Sequence, residues 1–251
     1  MVNIDEKMQY LRRVARQYID PITTHPYYQH FIRFLDQCGP EEHYPRYALT
    51  MAEALNTLGD MISSAGALSV CETGGLSLIS RFLINEGCSV KATKTDLRYA
   101  IDAADESIDL LLSLEVLEHI KDQHEQQFDE VVRFNGSGAR KYVDEMWRVL
   151  KPGGFIVLTT PNPCSLKTIM QIIEYEPPAI FRPHVREYGQ AEILQLFGRF
   201  SLIKYRSFFA YWYIENGEKL AQELCEQIKW NPENRGDCHF FVFRKTLTEP
   251  Q

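Results

Sequence analysis

Apolar positions along the chain follow two rhythms, and the rhythm changes near residue 65. Residues 4–20 place Ile4, Met8, Leu11, Val14, Ala15, Tyr18 and Ile19 at helical spacing, with Pro21 as a stop. Residues 27–37, with Tyr28, Phe31, Ile32, Phe34 and Leu35, predict a second helix ending at the Cys-Gly-Pro of 38–40. Residues 46–62, with Tyr47, Met51, Ala54, Leu55, Leu58 and Ile62, predict a third. Together they read as an N-terminal helical cap over residues 1–64. Its many Tyr and Phe residues suit either a packed cap core or a wall over a pocket.

Beyond residue 65, short apolar runs alternate with helical patterns. Residues 68–72 and 88–95 read as strands on either side of a helix at 76–86. Residues 108–114 (IDLLLSL) are almost wholly apolar, as expected of a central parallel strand covered on both faces. Helical patterns follow at 116–129 and 139–149, then a turn at 151–154 (KPGG) and a strand at 155–160. Helices at 166–174, 187–197 and 218–229 and strands at 201–209 and 238–244 complete the set. This alternation predicts an α/β fold: a doubly wound, Rossmann-like, mostly parallel sheet with an antiparallel edge strand and the N-terminal cap. Residues 65–251 then make one domain, with substrate-lining insertions at about 161–186 and 209–236.

Composition narrows the class without naming it. The 251 residues are 45% hydrophobic and 24% charged, ordinary for a globular chain. No apolar run is long enough to span a membrane, and the N-terminus lacks the basic-then-apolar pattern of a secretory signal. Six cysteines without a C-x-x-C spacing read as buried thiols in a reducing compartment. A cytoplasmic location is therefore expected. A net charge of −7 disfavours a bulk electrostatic grip on nucleic acid.

Candidate chemistry sits at strand ends. Residues 68–75 (LSVCETGG) run from an apolar strand through Glu72 into Gly74 and Gly75, just before a helix. Such a turn lies at the ligand crevice of an open α/β sheet, and glycines there let a ligand approach the backbone. Asp96 ends the second strand, where an acid can hold ribose hydroxyls. After the third strand come Glu115, Glu118 and His119, spaced to share one face if helical. Two carboxylates and an imidazole suit a divalent cation such as Mg, Mn, Fe, Co or Zn, with His184 as a fourth ligand. The plainer alternative is that the acids cap or pair and the histidine packs.

The order of these segments resembles the class I S-adenosylmethionine-dependent methyltransferases. Residues 70–75 (VCETGG) resemble the first cofactor motif and residues 109–120 (DLLLSLEVLEHI) the family's fourth-strand segment. Residues 147–155 (WRVLKPGGF) and 159–162 (TTPN) resemble its helix–turn–strand passage and the strand end that follows. The resemblance covers roughly residues 65–244. It implies S-adenosyl-L-methionine as cofactor, held around Glu72, Gly74, Gly75, Asp96, Leu97, Asp102 and Leu114. Two departures stand out. Leu76 and Leu78 occupy positions where the family carries glycines, and residues 96–109 barely hold the usual extra helix and third strand.

The Glu-x-x-Glu-His string with a later histidine is similar to two subgroups, small-RNA 2′-O-methyltransferases and ubiquinone-pathway O-methyltransferases. That resemblance implies Glu115, Glu118, His119 and His184 as ligands of a divalent metal such as Mg. His119, His184 and Glu115 are the catalytic candidates, the histidines serving as general base if no metal binds. The acidic balance disfavours RNA and favours O-methylation of a small or medium metabolite. The aromatic run at 205–213, with Tyr205, Phe208, Phe209, Tyr211, Trp212 and Tyr213, suits a core, a homodimer seam or a pocket lining. Arg182 and Arg186 could meet an anionic substrate. A catalytically silent methyltransferase-like partner protein stays open as the reading from another class. A nicotinamide-dependent oxidoreductase lacks its G-x-G-x-x-G.

Overall fold

The computed structural model describes residues 23–38, 43–64, 68–123, 136–174, 183–210, 217–229 and 231–247. The helix expected at 4–20, Arg182 and the aromatics at 211–213 lie outside the described residues. Two cap helices come first, α1 (Pro26–Gln37) and α2 (Tyr44–Ser63). Each has a proline in its first two positions, where a fixed φ suits the helix and no hydrogen bond is lost. α1 buries Tyr28, Phe31 and Leu35, one stripe at helical spacing.

The sheet alternates with helices from there. In chain order the elements are β1 (Ser69–Thr73), α3 (Leu78–Asn85), β2 (Ser89–Ala92), β3 (Ile108–Leu114), α4 (Ser137–Val149) and β4 (Leu150–Pro161). They continue with α5 (Leu166–Ile173), α6 (Gln190–Leu196), β5 (Phe200–Phe208), α7 (Gly217–Ile228) and β6 (Cys238–Lys245). The spatial order is β2-β1-β3-β4-β6-β5. The first four strands run parallel, and β6 is antiparallel to both β4 and β5. The expected antiparallel pair at the sheet edge is thus β5 with β6, and β6 lies one strand in from the rim.

Strand periodicity divides the core into two layers. Val70, Leu110, Leu112, Val157, Phe240 and Val242 face the layer shared with α1, α2 and α3. Cys71, Leu111, Ile156, Leu158, Phe241 and Phe243 face the layer shared with α4 and α6. Successive residues point to opposite faces, so an uninterrupted apolar run is what a two-sided sheet requires. In the second layer Phe243 stacks on Phe197 at 4.6 Å and on Phe241 at 5.4 Å. Burying each such ring contributes roughly 1.5–3 kcal/mol. The cap is continuous with the first layer, and Arg206 of β5 reaches buried Glu53 of α2 at 2.6 Å.

Three local expectations change. No strand forms between Ala92 and Ile108, so the sheet ends at β2 as the short spacing suggested. Residues 151–154 do not end a helix-to-strand turn; Leu150 already pairs with Ile108, and Phe155 resumes pairing at Leu110. The KPGG segment is an irregularity inside one long β4. The helix expected from residue 116 is a single 3-10 turn, Leu117–His119. Glu115 is left-handed at φ 57, Val116 lies outside the helical and extended regions at φ −125 and ψ −39, and the Glu118 carbonyl accepts Val185 N–H at 2.7 Å instead of continuing a helix. Among the described residues no helix is long and apolar enough to cross a membrane.

Candidate active site

The turn after β1 is stripped of side chains. Gly74 has φ 86, and a Cβ there would lie 2.7 Å from a Val116 methyl. Gly75 has φ 130, and a Cβ there would meet nothing within 4 Å. Left-handed backbone of this kind favours glycine, and bare backbone beside open space is what a close-lying ligand needs. Glu72 is buried behind the turn, where its Oε2 accepts Ser77 N–H at 2.7 Å. Burial raises its pKa, while the bonds from Ser77 and the charge of Arg46 act the other way. Glu72 therefore braces the turn that leads into α3.

The other cofactor candidates are spread along the rim. Asp96 is exposed, and Arg98 holds both its oxygens, with Nε at 3.0 Å from Oδ1 and Nη2 at 2.7 Å from Oδ2. Asp102 is exposed and pairs with Lys91 at 3.2 Å. Leu97 and Leu114 are half-buried against opposite core layers. An apolar flank and carboxylates near a glycine turn fit a nucleoside. The fit rests on Gly74 and Gly75, because Asp96 and Asp102 carry ion-pair partners of their own.

The cluster after β3 is tighter. Glu118, His119 and His184 each offer one ligand atom, and the three atoms lie within 4.8 Å of one another. Glu118 is fully buried; its Oε2 accepts the Thr160 hydroxyl at 2.9 Å. Its Oε1 has no hydrogen-bond partner among the described residues and lies 3.9 Å from Nε2 of both His119 and His184. Each imidazole is oriented by its other nitrogen. His119 Nδ1 donates to the Pro183 carbonyl at 3.1 Å, and His184 Nδ1 to the Glu187 carboxylate at 3.1 Å. Those partners can only accept, so Nε2 is the atom each ring can offer a metal. Three lone-pair-bearing atoms face one another around the buried Glu118 carboxylate, an arrangement that a proton or a cation between them relieves. Burial, and then the charge of Glu115, pushes the Glu118 carboxyl up to about 8. The donor set fits a divalent cation.

Glu115 stands beside this cluster rather than in it. Its left-handed backbone turns the carboxylate toward Arg46, whose Nη1 is 3.8 Å from Oε1, and toward the Cys238 thiol at 3.4 Å. No helix forms there, so Glu115 and Glu118 do not share a helix face. All four residues nonetheless line one cavity of about 530 Å³, along with Arg46, Asn162, Ser165, Lys167, Thr168 and Asp237. Cavities of this size hold small molecules. The described aromatics of the 205–213 run are not among the lining: Phe208 and Phe209 are buried in core clusters, and Tyr205 packs on Phe241 at 4.8 Å. Arg186 pairs with Glu192 and stacks over Tyr188. Sequence reasoning missed Arg46, Thr160 and Asp237. Arg46 alone carried a signal, as a cation near a helix start, where helix propensity gives no reason for it.

Residues 76–158 match the family model described as a methyltransferase domain. That match covers 83 of the 251 residues. The match spans α3 through most of β4, and so includes the turn before the cation cluster and Glu115, Glu118 and His119. No curated protein matches the chain. Among solved structures it is similar to an S-adenosylmethionine-dependent methyltransferase from Archaeoglobus fulgidus, with 13% identity, 78% of this chain and 94% of that chain covered, and a TM-score of 0.49. A methyltransferase from Mesorhizobium loti gives 13% identity, 75% and 97% coverage and a TM-score of 0.44.

Proposed function

We propose that this protein is an S-adenosylmethionine-dependent methyltransferase that moves the methyl group to a hydroxyl of a small polar acceptor, assisted by a divalent cation on Glu118, His119 and His184. The observation that carries the reading is the orphaned Glu118 Oε1 facing two imidazoles that their own partners hold in ligating orientation. The sulfonium supplies an already activated methyl, so the protein must align the acceptor and relieve it of a proton. A cation on this set, when bound, would lower the pKa of an acceptor hydroxyl.

The chain's own groups divide the remaining work. Glu72, Gly74 and Gly75 shape the turn on the cofactor side, and Asp96, Leu97, Asp102 and Leu114 flank it. Thr160 fixes one oxygen of Glu118, so the other keeps a constant bearing. With both histidines engaged as ligands, Glu115 is the carboxylate left beside the acceptor to take its proton. The lining supports a small acceptor, because its volume and polar walls suit one. The net charge of −7 weighs against RNA. The protein acts in the cytoplasm in this reading, and a homodimer is one assembly that fits it.

The donor set also predicts metal preference. Two imidazoles and one carboxylate favour a borderline cation over a hard one. Activity of protein stripped by chelator should return with Mn, Co or Fe more fully than with Mg or Ca. Full activity in chelator, with no metal by elemental analysis, would remove the metal from the mechanism. Methyl transfer to no component of a metabolite extract, with no binding of the cofactor, would instead favour the silent-partner reading.

A further inference from the structure

Two neighbouring strands end at the crevice in hydroxyls rather than apolar side chains. Cys71 of β1 and Leu111 of β3 face the second core layer, and two residues further on the same face carries Thr73 and Ser113. Those two are Cα partners, the last pair of the β1–β3 ladder. Tyr142 comes in from α4 and is fully buried. Its hydroxyl is hydrogen-bonded to Thr73 Oγ1 and, at 3.0 Å, to Ser113 Oγ. Thr73 Oγ1 also lies 3.3 Å from the Leu112 carbonyl oxygen. Side-chain bonding thus takes over where backbone pairing stops. Beyond the pair both chains turn left-handed, at Gly74 and at Glu115, and the Gly74 backbone packs so closely on Val116 that a Cβ would lie 2.7 Å from its methyl. The order β2-β1-β3-β4 reverses direction between β1 and β3, which is where an open α/β sheet takes its ligand. One partner would satisfy a buried tyrosine oxygen. This one joins both walls of the crevice.

We propose that Tyr142 is a positioning residue for the cofactor: its hydroxyl fixes Thr73 against Ser113 and so holds the Gly74–Gly75 turn in the form that receives S-adenosylmethionine. The inference rests on the cofactor reading and adds the side chain that sets the turn from beneath. Tyr142 is 0% exposed, so it acts through Thr73 and not by touching the ligand. Burial raises the phenol pKa, and the hydroxyl stays protonated and able to donate. A turn held in place before the ligand arrives loses less freedom on binding.

Calorimetric titration of the full chain with S-adenosylhomocysteine, beside thermal melts of the same samples, tests this. Tyr142→Phe keeps the ring and should raise the dissociation constant about tenfold, the scale of one lost hydrogen bond. Thr73→Val should do the same, while Thr73→Ser should bind like the wild type. The double variant Tyr142→Phe/Thr73→Val should lose no more than either single change, because both remove one shared contact. Tyr205→Phe is the control: it removes a hydroxyl bonded to His239 Nδ1 at 3.2 Å between β5 and β6, and should leave the affinity unchanged. If Tyr142→Phe or Thr73→Val fails to fold, the other decides against Thr73→Ser. A Tyr142→Phe protein of unchanged affinity, whatever its melting temperature, would overturn the proposal, as would fully additive losses in the double variant. A wild type that binds no S-adenosylhomocysteine would overturn the cofactor reading as well, and that result precedes any variant.

Discussion

Glu118→Gln should abolish stoichiometric binding of a divalent cation and lower methyl transfer by more than about 100-fold, since even outer partners of a metal site cost 10–100-fold. The amide keeps the size of the carboxylate and can still pair with Thr160, so packing around the fully buried side chain is preserved. What disappears is the anionic oxygen between His119 and His184. Glu187→Gln tests the same site one step out, because Glu187 orients the His184 ring. It should weaken metal binding by roughly 10–100-fold and leave the stoichiometry intact. Metal titrations by calorimetry check both. A Glu118→Gln protein that binds metal like wild type would mean the cation, if any, sits elsewhere.

The second large effect is on pH. Burial raises Glu118 from an ordinary value of 4.5 to about 8. Between those values the folded, metal-free protein holds a proton that the unfolded chain has released. Stability of the metal-free protein therefore falls as pH rises from about 5 to 8, by at most about 1 kcal/mol per unit from this group. A divalent cation takes the proton's place, so metal affinity rises over the same window and the loss is reversed. Thermal melts at several pH values, with and without Mn, would read this directly, at about 2–4 °C per kcal/mol for a chain of this size. Glu118→Gln removes the titrating group and isolates its share. Identical slopes in the wild type and Glu118→Gln would show that Glu118 does not hold the proton.

How far the chain could be read beforehand follows from which signals were local. β3 matched its expected span because its apolar run is bounded by charge on both sides, and both faces of the strand are covered. The missing strand after β2 was visible as a spacing too short to hold it. The 3-10 turn at residues 117–119 was not, because it depends on a left-handed Glu115 and on a carbonyl captured by the distant Val185. The metal candidates were legible as residue types, and His184 was found from its loop position alone. Their grouping was not legible: the helix expected at 116 would have put Glu115 on the same face as Glu118. Arg46 lies 69 residues from Glu115 in sequence and shares no motif with it. Only the docking of α2 onto the sheet brings the two together.

The most direct test is anomalous diffraction from crystals of the protein grown with Mn and S-adenosylhomocysteine. The account predicts one strong anomalous peak at about 2.2 Å from Glu118 Oε1 and from Nε2 of His119 and His184. Ordered product with no peak at those three atoms, or with a proton-bridged Glu118 and both imidazoles turned away, would contradict it.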